Sequence, residues 1–165
     1  MPFTFTTQIK KLDYLNMAVL WIPAEIVKQV GGTSNKRFLC SVNGAKAFQG
    51  GFQAFGDGEA CINITAKRLK EAGVGIGDVA ELVLTEDLSE YGMDMPEELR
   101  EVLDQHPEGN RRFELLTPGR KRYIIHYVAS VKNPQLRVDR ALLLIGNLVK
   151  LPVGKEQFRQ MLGLP

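Results

Sequence analysis

VAELVLTEDLSEYGMDMPEELREVL, residues Val79–Leu103, changes character in its middle. Its first part, Val79–Thr85, is entered through Gly77-Asp78 and reads as a strand. Its last part is punctuated as a helix: Pro96 suits a helix start, and Leu99, Val102 and Leu103 fall on one face. Between them Ser89–Met95 is acidic and contains glycine, and it reads as a boundary. The fold class follows from this switch. The expectation is α+β, with a small β-barrel domain over residues 1–90 and a helical segment over 95–165 packed against it.

Toward the N-terminus the chain keeps strand patterning. Phe3–Ile9 alternates loosely and is rich in Thr and Phe, and Met17–Ile22 is a continuous apolar run that stops at Pro23. Pro23–Val30 reads as a short helix closed by Gly31-Gly32. Arg37–Val42 is a strand followed by Asn43-Gly44, a strong hairpin signal. Ala45–Phe55 continues extended, with a bulge or corner at Gly50-Gly51. Gly56-Asp57-Gly58 is a second turn. Glu59–Thr65 then sets Ala60, Ile62 and Ile64 against Cys61, Asn63 and Thr65, and Ala66–Ala72 is a short helix ended by Gly73. Five or six short strands at this spacing predict a small split barrel.

Toward the C-terminus helices follow one another. Pro107 ends the helix begun at Pro96, and Glu108–Leu116 forms another with Phe113 and Leu116 inward. Thr117-Pro118 and Asn133-Pro134 each pair a capping side chain with a proline at the first helical position. The apolar face of the first of these is Tyr123, Ile124, Tyr127, Val128 and Val131. That of the second is Leu136, Leu143, Leu144 and Leu148. A last short helix carries Phe158, Met161 and Leu162.

A chain of 165 residues with 44% hydrophobic and 24% charged residues is globular in composition and large enough for a core without disulfides or metals. Residues 1–15 lack the pattern of a secretory leader, and the most apolar stretch, Ala141–Leu151, is too short to span a bilayer; the expected location is cytoplasmic. Cys40 and Cys61 read as buried free thiols. Gly73-Val-Gly-Ile-Gly-Asp78 follows a helix rather than a strand. It therefore reads as a helix cap and a turn braced by Asp78, not as a dinucleotide loop.

Nothing in the sequence marks a catalytic residue. The two histidines, His106 and His126, have no metal-spaced partner, so neither a metal nor a cofactor is expected. His106, just before Pro107, suits a helix C-terminus through partial positive charge. Charge is segregated instead. Residues 81–108 hold ten acids and one base, a pattern that reads as a solvated acidic face at the junction. Residues 111–140 hold eight bases and two acids. Gly119-Arg120-Lys121-Arg122 places three cations in the first turn of a helix, where the helix dipole opposes them. A bound anion would reverse that opposition. The candidate anion site is therefore Gly119, Arg120, Lys121 and Arg122, with Arg137 and Arg140 from the next helix. The competing account pairs Arg120 or Arg122 with the acidic helix Pro96–Asp104.

Several stretches in order carry a family resemblance: Val42-Asn43-Gly44, Gly56-Asp57-Gly58, Lys67-Arg68, Gly75–Val79, Pro96–Leu99, Phe113–Leu116 and Arg120–Ile124. From about Phe3 to Leu151 the chain resembles the bacterial YdeI/OmpD-associated family, with the small barrel domain that precedes its helical tail. The resemblance implies a split barrel followed by helices, and a link to antimicrobial-peptide or bacteriocin resistance. Arg137 and Arg140 fall on the family's tail arginines, while Gln135 and Leu136 depart from its pattern. The function expected is non-enzymatic binding of an anionic ligand or an acidic partner. Two other readings stand beside it: a nucleic-acid-binding or antitoxin-like regulator, and an unrecognised hydrolase. Residues 1–88 hold nine bases and nine acids, which lacks the basic stripe of a nucleic-acid reader.

Overall fold

The structure is a computed structural model that describes residues 2–13, 16–33 and 36–165. The chain divides into two compact units, Met1–Leu88 and Ser89–Pro165.

The first unit is one antiparallel sheet, curled into a half-barrel. Its strands are β1 (Phe3–Leu12), β2 (Met17–Ile22), β3 (Arg37–Val42), β4 (Phe48–Gly51), β5 (Gln53–Gly56), β6 (Glu59–Ile64) and β7 (Val79–Glu86), in the order β4-β3-β7-β1-β2-β6-β5. β1 serves both halves of the curl. Phe3–Gln8 pairs with β7, and Ile9–Leu12 pairs with β2. Seven strands stand where five or six were expected, because the extended run Ala45–Phe55 breaks at Phe52 into β4 and β5, which pair with different neighbours.

The glycines of that run explain the curl. A Cβ on Gly50 would lie 2.8 Å from Ile62 Cγ2 and 3.4 Å from Cys40 Sγ, so β4, an edge strand, closely approaches β6 on the inner side of the curl. Only a residue without a side chain lets the two approach. Asn43 and Gly44 turn the β3–β4 connection with positive φ at both residues (50° and 74°), as do Asp57 and Gly58 between β5 and β6 (53° and 77°). Asn43 also accepts from the Glu81 N–H at 2.9 Å, which fixes the turn to β7. The two helices of this unit are α1 (Ala24–Gln29) and α2 (Ala66–Ala72). Gly73, left-handed at φ 71°, caps α2, and Asp78 accepts from the Gly75 N–H at 2.8 Å; the glycine-rich run is the braced turn its sequence predicts.

Inside lie Ile9, Leu20, Ile22, Phe38, Val42, Ile62, Leu82 and Leu84, all essentially inaccessible. Cys61 faces the other side of the sheet and is buried there with Val19 and Leu12 beside Phe55. Lys10 Nζ sits 4.1 Å from the Trp21 ring. Both cysteines are free and buried. Burial pushes the Cys40 thiol up to about 12, against the smaller pull of Arg37 and Arg68. Burial also raises Cys61. Because the thiolate is the reacting form, neither thiol should react with Ellman's reagent at pH 8 in the native protein, and both should react in denaturant. Rapid native labelling would contradict this burial.

The second unit is helical: α3 (Glu97–Gln105), α4 (Pro107–Glu114), α5 (Pro118–Ala129), α6 (Pro134–Leu148) and α7 (Phe158–Met161). Its core holds Leu99, Leu103, Phe113, Ile124, Val128, Ala141, Leu144, Ile145, Leu148 and Met161. Thr117 and Asn133 cap α5 and α6 through their side-chain oxygens, each with proline at the start. The inner face of α6 is Ala141, Leu144, Ile145 and Leu148, whereas Leu136 and Leu143, expected inside, are 48% and 42% exposed. A helix this rich in leucine offers two apolar stripes, and packing chose one. Tyr123 is likewise outside, where its ring meets Phe158 at 5.7 Å. Among the described residues no helix is long and apolar enough to cross a membrane.

Candidate functional site

The cations at the start of α5 meet carboxylates of the same unit. Arg120 pairs with Glu156 at 3.4 Å and Lys121 with Glu114 at 3.2 Å. Glu156 is the centre of a buried cluster. Its Oε1 accepts from Arg112 at 3.3 Å and from the Gly154 N–H at 3.0 Å. Arg112, also buried, donates to the carbonyls of Val149 and Leu151 and so closes the C-terminal end of α6. Burial alone would raise the Glu156 carboxyl. The N–H groups of Glu156 itself and Gly154, with Arg112, outweigh it and hold the group below its ordinary value. Beside Lys121, Glu114 accepts from the Tyr91 hydroxyl at 2.8 Å, and Arg100 donates to that hydroxyl at 3.2 Å. Burial, ahead of these contacts, pushes Tyr91 up to about 12.

Arg137 and Arg140 go elsewhere. Arg137 donates to the carbonyls of Val131 (2.6 Å) and Ala129 (3.3 Å) and approaches Glu98 at 3.7 Å. Arg140 donates to the Tyr127 carbonyl at 2.8 Å and lies 4.2 Å from that residue's ring. Both therefore satisfy the C-terminal end of α5, while Gly119–Arg122 form its N-terminal end. Twelve residues of helix separate the ends by about 18 Å. The six candidates thus form two groups rather than one pocket. Arg122 alone among the charged candidates has no ion pair or hydrogen bond among the described residues. Among the described residues neither Arg120 nor Arg122 pairs with helix α3, against the competing account; Arg137 meets that helix at Glu98, and the partner of Arg120 is Glu156, on a loop whose sequence gives no sign of burial.

His106 closes α3 as its C-cap, the expected place, and also caps the helix that follows. It lies between α3 and α4, and its Nδ1 accepts from the Gly109 N–H at 2.9 Å. Through this bond it caps the start of α4. His126 is exposed on α5. Among the described residues no three His, Cys, Asp or Glu side chains are grouped to hold a metal.

The acidic block supplies a feature its composition did not reveal. A groove of about 630 Å³ runs between α3 and α6, lined by Glu97, Glu98, Glu101, Val102, Gln105, His106, Val138 and Leu142. Three of these residues are acids and none is a Lys or Arg. Glu98 has Arg137 at one end of the groove, and Glu101 accepts from Gln105. Glu97 has no partner among the described residues. The carboxylates at 97 and 98 sit in the first turn of α3, where the dipole favours them. Val138 and Leu142, four apart on α6, form the apolar wall. Part of the acidic block is thus one side of an apolar groove, not only a solvated face.

Both walls of this groove fall in a recognisable segment. Residues 92–149 match the family model described as Bacteriocin-protection, YdeI or OmpD-Associated. The matched segment runs from just before α3 to Val149, the C-cap of α6. It holds the whole groove, the start of α5 and both tail arginines, and it excludes Glu156. No curated protein matches the chain.

Proposed function

We propose that the helical unit is a binding module that holds a cationic ligand in the groove between α3 and α6. The observation that carries this reading is the pairing of Glu97 and Glu101 with an apolar wall, in a groove without a cation among its lining residues. A concave, partly apolar site with few converging charges is the usual form of a ligand site. The description of the matched family speaks of protection against bacteriocins, and sequestration of a peptide by such a groove is one route to protection.

The anionic-ligand reading retains one specific support: Arg122 is unpaired among the described residues, at the start of a helix. The other cations of that turn already have carboxylates where an external anion would sit.

The two readings separate in one set of titrations by calorimetry. Oligolysine is expected to bind the wild type in a salt-dependent manner, and Glu97→Gln with Glu101→Gln should weaken it about tenfold. Inorganic phosphate should show no binding that Arg122→Ala removes. Oligolysine binding that the double variant leaves unchanged overturns the groove. Phosphate binding lost in Arg122→Ala moves the function to α5.

A further inference from the structure

We propose that the occupant of the groove is a basic amphipathic helix, held by its apolar stripe against Val138 and Leu142 and by its Lys or Arg side chains along Glu97 and Glu101. This rests on the cation-binding reading and adds the shape of the ligand.

The form of the groove argues for a helix. Its acidic wall is a row on α3, Glu97 and Glu101 being one helical turn apart, and its apolar wall is a row on α6, Val138 and Leu142, with the same sequence spacing. A ligand that meets both rows must carry charge on one side and apolar groups on the other, repeated each turn. A peptide helix with anchors at i, i+3, i+4 and i+7 has that periodicity. An extended chain would repeat on each side every ~6.7 Å, longer than the ~6 Å between residues four apart on a helix, and would drift out of register with the rows.

The apolar side continues beyond the groove. Leu142 is 54% exposed on the wall, and Leu136 and Leu143, one heptad apart, are exposed on the adjoining strip of the same helix. Gly146 lies between, and a Cβ there would meet nothing within 4 Å, so the surface is open at that point. Exposed leucines beside a groove are unfavourable to leave in water, and a ligand with a matching apolar stripe and a charge opposite to that of Glu97 and Glu101, neither of which has a cationic partner among the described residues, covers both.

The test uses the full chain and two synthetic peptides of identical composition, about 14 residues of Lys and Leu. In one the leucines recur at helical spacing, and in the other the order is scrambled. The helical-spaced peptide is expected to bind about tenfold more tightly than the scrambled one and to gain helicity on binding, read by circular dichroism. Leu142→Asn, at a solvent-facing position that leaves the core intact, should abolish that difference while weak charge-driven binding of both peptides remains. Glu97→Gln with Glu101→Gln should weaken both peptides together. Equal affinity of the two peptides for the wild type, or tight binding without helix formation, overturns the inference and leaves the cation reading standing. Failure of both peptides to bind overturns both. A dimer that forms with concentration, excludes the peptide and is lost in Leu142→Asn assigns the groove to a second copy of the chain, and this too overturns the inference.

Discussion

Glu156→Ala is expected to lower the stability of the helical unit by about 3–5 kcal/mol, because it leaves the buried Arg112 without its counter-charge. Side-chain exposures of 6% and 3% for the pair mean that water cannot replace the lost carboxylate. Denaturant unfolding of the full chain, followed at a helix-sensitive wavelength, measures the effect. A loss below about 1 kcal/mol would show that the pair is solvated and the cluster unimportant. Glu156→Gln keeps the shape and part of the hydrogen bonding, so a smaller loss is expected.

The same residue gives the stability a pH dependence. The folded carboxyl lies below its ordinary value of 4.5. The unfolded state therefore binds the proton first, and the contribution of Glu156 is complete above that value. It is lost as the pH falls through the folded pKa. Wild-type stability should thus decline below about pH 4.5, and the decline should be shallower in Glu156→Gln. It should not vanish, because Glu114 is also held low, against its own burial, by Tyr91 and Lys121.

Gly109→Ala should destabilise the same unit by about 2 kcal/mol, although alanine is the better helix former by about 1 kcal/mol. A Cβ at Gly109 would lie 2.3 Å from Ile145 Cγ2 and 3.0 Å from His106 Nδ1. Ile145 is wholly buried on α6, so α4 must move away from α6 or the isoleucine must leave its rotamer. The substitution also presses on the imidazole that caps α4. A double-mutant cycle with Ile145→Ala isolates the clash. Ile145→Ala alone leaves a cavity, and in the Gly109→Ala background the new methyl occupies part of it, so the two losses should fall short of their sum. Strict additivity would mean that the helices separate without strain.

Much of this molecule was legible in its residues taken locally. The turns at Asn43-Gly44 and Asp57-Gly58, the Gly73 cap, the Asp78 brace and the capped proline starts of α5 and α6 are determined within a few residues. Period-two and helical patterning placed the strands before Ser89 and the helices after Met95. The split of Ala45–Phe55 into β4 and β5 was not legible, because it depends on which strands each part pairs with, β3 for one and β6 for the other, and on the close approach of Ile62 to Gly50. The inner face of α6 was not legible, because five leucines and an isoleucine satisfy more than one helical stripe; only contact with α3, α4 and α5 selects among them. Tertiary structure also decided the charges. Which carboxylate meets Arg120 is a question of where the loop carrying Glu156 returns, 36 residues on, and no local pattern encodes it. The acidic row on α3 became a groove only when Val138 and Leu142 were brought beside it. Sequence by itself determined the elements and their order, because hydrogen-bonding turns and side-chain periodicity act over a few residues. The partners of each charge and the existence of the groove waited on the tertiary fold, because electrostatic pairing and concavity are properties of residues far apart in the chain.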